Sequence, residues 1–141
     1  MPSSPDPRAS LIALTPEAKA SLGGDEMRLD QLPFRVGRES RRGPHAAGRT
    51  IAERRRSRRS PTNELYLAEK GEPFHVSRDH LQIQHNGTRY VLVDRQSACG
   101  TIVEGTVVGG RGVGGAVPLN DGDVIIVGTS ASPYVFKFRV R

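Results

Sequence analysis

The 141-residue chain contains no tryptophan, one cysteine and only 5% aromatic residues. A single Cys excludes an internal disulfide, and a chain so poor in aromatic rings must build a lean core from Val, Ile and Leu. Such a core favours strands over helices. No stretch approaches the roughly 18 consecutive apolar residues that a membrane-spanning helix needs. Residues 1–10, with three prolines and only Asp6 and Arg8 as charges, lack the apolar centre of a signal peptide. The expectation is a soluble cytoplasmic protein with no membrane partner. The paired spacings that hold zinc are also missing among His45, His75, His80, His85 and Cys99, so neither a metal site nor a cofactor is predicted. The length predicts one domain.

Charge is present in excess but unevenly placed. The chain has 21 basic and 15 acidic residues, a net +6, which raises nucleic acid, anionic lipid and phosphorylated ligands as partners. Residues 41–60 alone carry eight arginines against the single acid Glu53. Outside that stretch 13 basic and 14 acidic residues remain, so the rest of the chain is almost neutral. The basic character therefore belongs to an insertion. Low in large apolar residues, broken by Gly and Pro and self-repelling, it cannot offset its ordering entropy by burial. The division expected is a flexible arm at 1–9 and one domain at 10–141, with 41–62 as a mobile Arg-rich insertion. The insertion reads in several ways: a solvated loop, a nucleic-acid contact through backbone phosphates without aromatic stacking, or a supplement to binding of an acidic phosphopeptide. It is also a candidate kinase target at Arg54-Arg55-Arg56-Ser57 and Arg58-Arg59-Ser60-Pro61.

Elsewhere the apolar residues recur with period two, which sets side chains on alternate faces of a strand. Phe34 and Val36 flank Arg35, Leu81 and Ile83 flank Gln82, and Phe136, Phe138 and Val140 alternate with Lys137 and Arg139. Further short strands are predicted at 11–14, 65–67, 90–93, 101–103, 106–108, 117–119 and 124–127. Asn86-Gly87 marks a hairpin, and Asp121-Gly122 stands before the strand at 124 in a similar way. Many short strands at close spacing indicate a sandwich or a barrel. One helix of at most about two turns is expected after Thr15-Pro16-Glu17, ended by Gly23-Gly24. The run Gly109-Gly110-Arg111-Gly112-Val113-Gly114-Gly115 lacks the Lys-Ser/Thr ending and the following helix of a phosphate-cradling loop. It reads as a flexible hairpin connection.

Polar residues are dense at strand ends in Gly37-Arg38, in His75-Val76-Ser77-Arg78-Asp79-His80 and in Asp94-Arg95-Gln96-Ser97-Ala98-Cys99-Gly100-Thr101. Together with Asp121-Gly122-Asp123 before an apolar strand, this order resembles the forkhead-associated (FHA) domain over roughly residues 11–141 apart from the insertion. The resemblance implies an all-β, antiparallel β-sandwich of about eleven short strands. It also implies a non-enzymatic signalling module whose loops at one end bind phosphothreonine-containing protein segments, made by a Ser/Thr kinase. Arg38 and Ser77 are implied as phosphate ligands, with Arg78, Ala98 and Cys99 beside them. Gly37, His80, Gly100 and Thr101 are implied to support the binding loops.

The chemistry of these residues suits such a ligand. A threonine phosphate carries about −1.5 to −2 charges and three acceptor oxygens, and Arg38 offers a planar, permanently charged fork. Gly37, lacking a Cβ, is expected to let the chain turn tightly as it leaves its strand. Ser77 offers a hydroxyl donor. A catalytic role for His80 with Ser77 and Asp79, or with Cys99, finds less support, because Ser77 and His80 face opposite sides of an extended segment. Three positions depart from the family pattern: Cys99 replaces an Asn that grips the peptide backbone, Ala98 replaces a polar side chain, and Glu104 replaces an Asn. A thiol is a poor substitute donor. Alternatives are therefore a docking domain that has lost phosphate recognition and a nucleic-acid-binding accessory acting through the Arg-rich loop. Thr15-Pro16 is also a candidate internal ligand, with dimerisation or autoinhibition as the consequence. The sequence leaves the oligomeric state open.

Overall fold

Strand β5 (Leu81–His85) buries Leu81 and Ile83 and leaves Gln82 and Gln84 half-buried, and β3 (Phe34–Arg38) does the same with Phe34 and Val36 against Arg35. In the computed structural model, which describes residues 9–39, 63–69 and 74–141, this alternation recurs through two packed sheets. Most of the expected arm and all of the 41–62 insertion lie outside the described residues.

The remaining elements are β1 (Ala9–Ala13), α1 (Pro16–Leu22), β2 (Glu26–Arg28), β4 (Leu65–Leu67), β6 (Tyr90–Asp94), β7 (Thr101–Val103), β8 (Thr106–Val108), β9 (Gly115–Leu119), β10 (Val124–Val127) and β11 (Val135–Val140). One sheet has the order β2-β1-β11-β10-β7-β8, the other β4-β3-β5-β6-β9. The all-β sandwich expected from the strand count is the observed architecture. Its core forms where Phe136 and Phe138 of one sheet meet Val36, Leu81, Ile83 and Leu92 of the other, all nearly or fully buried. Tyr90 and Phe138 join the sheets edge to face, with centroids 5.2 Å apart. Each such side chain contributes about 1.5–3 kcal/mol by leaving water. Among the described residues no helix is long and apolar enough to cross a membrane.

Helix α1 has the predicted caps. Thr15 accepts a hydrogen bond from the Ala18 amide at 3.2 Å, and Gly23 closes the last turn with φ 74°. The Thr15 hydroxyl donates in turn to the Pro133 carbonyl, so Thr15 is a cap tied into the fold rather than part of a free arm. Ala9 already belongs to β1 and is fully buried, one residue before the expected boundary. Strand β2 was not legible in the sequence, because Glu26 and Arg28 are exposed and only Met27 packs against the core.

Two expectations about connections are corrected, and the expected antiparallel pairing has one exception: β4 runs parallel to β3, with Val36 opposite Leu65. A parallel neighbour needs a connection of about a dozen residues or more, and β3 and β4 are far enough apart in the chain to allow it. The glycine-rich run 109–115 is not a hairpin connection, because β8 and β9 lie in different sheets. Likewise Asp121-Gly122 passes from β9 in one sheet to β10 in the other. Only Asn86-Gly87 makes the predicted hairpin, between β5 and β6.

Candidate functional site

The end of β3 is locked to the loop that precedes β5. The Arg38 amide donates to the Ser77 carbonyl at 2.8 Å, and the His80 amide to the Val36 carbonyl at 3.0 Å. Gly37 stands between them, within the strand. A Cβ there would lie 1.8 Å from the Arg78 carbonyl oxygen and 2.6 Å from Asn63 Nδ2. Its glycine therefore serves close approach of two backbone segments, not the tight turn expected from the sequence. Buried Asn63 reinforces this contact by donating to the Arg78 carbonyl at 2.8 Å while accepting from Arg95 Nη1 at 3.0 Å. On the other side of the loop the Glu69 carboxylate accepts the amides of His75 and Val76 at 2.9 and 2.7 Å.

These restraints place two of the expected ligands on one rim. The Arg38 side chain donates through Nε to the Val76 carbonyl at 3.0 Å, and its guanidinium carbon sits 4.0 Å from the centre of the Phe74 ring. A cation over an aromatic face is attracted by the ring quadrupole. Ser77, the next residue along the loop, accepts the Ala98 amide on its hydroxyl at 3.0 Å. Among the described residues its hydroxyl proton has no acceptor. Arg78 is exposed, and among the described residues its guanidinium has no partner.

The second loop, between β6 and β7, is built around a buried carboxylate. Asp94 accepts the Ser97 amide at 2.9 Å, the Ser97 hydroxyl at 2.6 Å and the Thr101 hydroxyl at 2.9 Å. The Ser97 oxygen then accepts the Gly100 amide at 2.9 Å. Gly100 has φ 82°, a left-handed conformation that glycine adopts without strain. His80, fully buried, joins the two loops: Nδ1 accepts the Ser77 amide at 2.9 Å, and Nε2 donates to the Gly100 carbonyl at 2.7 Å. An accepting Nδ1 requires the neutral imidazole. Burial holds its pKa below the ordinary histidine value, although the Gly100 carbonyl and the charge of Asp94 pull the other way.

Arg38, Ser77, Ala98 and Cys99 thus meet at one end of the sandwich, while Gly37, His80, Gly100 and Thr101 lie beneath or beside them. Residues 75–80 are bent, not extended, so the Ser77 amide faces the His80 ring while its hydroxyl turns to Ala98. Among the described residues the hydroxyl makes no hydrogen bond to the imidazole that a triad would need. Cys99, half-buried, directs its thiol to the Phe74 carbonyl at 3.6 Å. Ala98 is exposed. Among the described residues no group of His, Cys, Asp or Glu is arranged to hold a metal ion. Asn63, Glu69 and Phe74 were missed in the sequence, where each is an isolated polar or aromatic residue with no spacing that signals its partner. The run beginning at Asp94 did stand out.

A family model described as the FHA domain matches residues 54–128. Among solved structures, EmbR of Mycobacterium tuberculosis in complex with a low-affinity phosphopeptide is 26% identical with a TM-score of 0.57. The similarity covers 94% of this chain but only 24% of that one, so this chain spans about a quarter of EmbR. The FHA domain of the CT664 protein from Chlamydia trachomatis is 20% identical with a TM-score of 0.57, over 95% of this chain and 98% of that one. The kinase-interacting FHA domain of an Arabidopsis kinase-associated protein phosphatase is 23% identical with a TM-score of 0.59, over 94% and 92%. No curated protein matches. Because the family model spans more than half of the residues, and the two sheets carry its ordered loop motifs at one end, the chain belongs to the FHA domain family.

Proposed function

We propose that the chain is a non-enzymatic, cytoplasmic signalling module that binds phosphothreonine-containing protein segments through a single domain. The observation that carries this reading is the Ser77 hydroxyl, which accepts the Ala98 amide and keeps its proton available, on a loop whose neighbouring carbonyl holds the Arg38 side chain. Arg38 supplies a charged fork and Ser77 a neutral donor, with exposed Arg78 adding positive charge at the entrance. Two or three charge-assisted bonds of about 1.5–3 kcal/mol each must outweigh an association cost of ~4 kcal/mol or more. Binding is therefore modest and reversible, as signalling requires. With Cys99 turned to the Phe74 carbonyl, grip on the peptide backbone comes from other groups, and the phosphate dominates recognition. The partner is a protein phosphorylated on threonine by a Ser/Thr kinase.

Titration of the full chain with phosphothreonine and unphosphorylated peptide libraries tests the reading. Arg38→Ala is expected to weaken phosphopeptide binding tenfold to a hundredfold, about 1.5–3 kcal/mol, while deletion of residues 41–60 leaves most of it. Loss of all binding on the deletion, with none on Arg38→Ala, overturns it in favour of the Arg-rich segment. A steep salt dependence of oligonucleotide binding would then identify a nucleic-acid partner.

A further inference from the structure

The glycine-rich connection between β8 and β9 has no task in the site described so far. Gly109, Gly110, Arg111, Gly112 and Gly114 all adopt positive φ, and Arg111, at 56°, is the one of these five with a side chain. Any residue with a Cβ is strained in that conformation, and glycine at this position would relieve the strain. The backbone does not need the arginine. The Arg111 amide donates to the Ala98 carbonyl and the Gly112 amide to the Ser97 carbonyl, each at 2.9 Å, and both bonds involve only main-chain atoms. Through Ala98, whose own amide donates to the Ser77 hydroxyl at 3.0 Å, this loop is fastened directly to the rim that carries Ser77.

The Arg111 side chain is exposed, and among the described residues it has no partner. The carboxylates of the surrounding loops are engaged elsewhere. Asp79 lies 3.6 Å from Arg95, Asp94 is buried among Ser97 and Thr101, and Glu104 accepts the Val124 amide at 2.8 Å. The main chain of Arg111 is thus held against Ala98, which itself presents only a methyl group, while its guanidinium has no partner among the described residues.

We infer that Arg111 binds a second anionic side chain on the phosphothreonine peptide, a flanking acidic residue or a second phosphorylated residue. The inference rests on the proposed function. Both ligands offer the pair of anionic oxygens that a planar guanidinium fork matches. The test measures fluorescence anisotropy of the full chain with phosphothreonine peptides in which one aspartate or one phosphoserine is stepped through the flanking positions. The same peptide with alanine there is the reference for each protein. In the wild type, aspartate at one position is expected to raise affinity threefold to fivefold and phosphoserine about tenfold, with both gains shrinking at high salt. Arg111→Gly, which suits the local backbone, is expected to abolish these ratios. A gain confined to phosphoserine identifies a doubly phosphorylated ligand, and a gain from aspartate an acidic one. Equal ratios in the variant, or no gain at any position, overturn the inference and leave phosphothreonine recognition standing. Failure of every phosphothreonine peptide to bind the wild type overturns both.

Discussion

The turn at residues 86–89 and the loop at residues 75–80 are both short, polar and flanked by β5, yet they are held in opposite ways. Asn86 closes its own turn, accepting on Oδ1 the Thr88 amide, the Thr88 hydroxyl and the Arg89 amide, while its amide donates to the Arg89 carbonyl. Every partner lies within three residues. Through side-chain hydrogen bonds the 75–80 loop relies on Arg38, Asn63, Glu69, Ala98 and Gly100, at separations from 6 residues for Glu69 with His75 to 38 for Arg38 with Val76. A self-contained turn survives change in the rest of the fold. A loop assembled from distant segments has its shape only when both sheets are complete, so binding geometry and global stability are coupled there.

The contrast is broken most severely at Gly37. Gly37→Ala forces a methyl group against the Arg78 carbonyl and the Asn63 side-chain amide, and the Arg78 main chain cannot yield as a flexible side chain would. Urea unfolding should show a loss of ~3 kcal/mol, with phosphopeptide affinity falling in parallel.

Protonation of His80 sharpens the same comparison. The fold requires its neutral form, and burial lowers its pKa from the ordinary 6.5. The unfolded chain therefore takes up a proton at higher pH than the folded one. Its contribution is complete above pH 6.5 and declines as the pH falls below it. The unfolding free energy should drop as the pH falls below 6.5, and His80→Gln should flatten that slope while removing roughly 1–2 kcal/mol at neutral pH. Glu64 responds separately. Burial works to raise its pKa, but the hydrogen bonds and charge of Arg35 hold it below the ordinary 4.5, so its ion pair weakens only in stronger acid.

The smallest effect is expected at the self-contained turn. Asn86→Ala should remove about 0.5–1 kcal/mol from unfolding and leave phosphopeptide affinity unchanged. An affinity change there would show that the two ends of β5 communicate.

Much of the scaffold could be read in advance. Strands with one buried face announce themselves by alternation, as at Leu81, Ile83, Phe136 and Phe138, and the caps of α1 by Thr15 and Gly23. The exposed edge strand β2 could not, since neither face is apolar enough to set a period. At the site, Gly37, Arg38, Ser77, His80 and Gly100 stood out as an ordered set of motifs. Asn63 and Glu69 did not, because a side chain that bonds a distant carbonyl or amide leaves no mark on its own neighbours in sequence. Gly37 was legible as a special position but for the wrong cause, since a close approach between a strand and a loop and a tight turn both select glycine.

By itself the sequence determined the elements: short strands, one capped helix, the Asn86 turn and the ordered polar motifs, each the product of interactions spanning a few residues. Tertiary structure alone decided that β4 lies parallel to β3, that the chain changes sheets at 109–115 and again at 121–122, and that Ser77 meets Ala98 while His80 spans to Gly100. The physical reason is range. Dihedral preference and side-chain alternation act between neighbours, whereas a hydrogen bond across 20 or 38 residues exists only after the two sheets have packed and brought its donor and acceptor together.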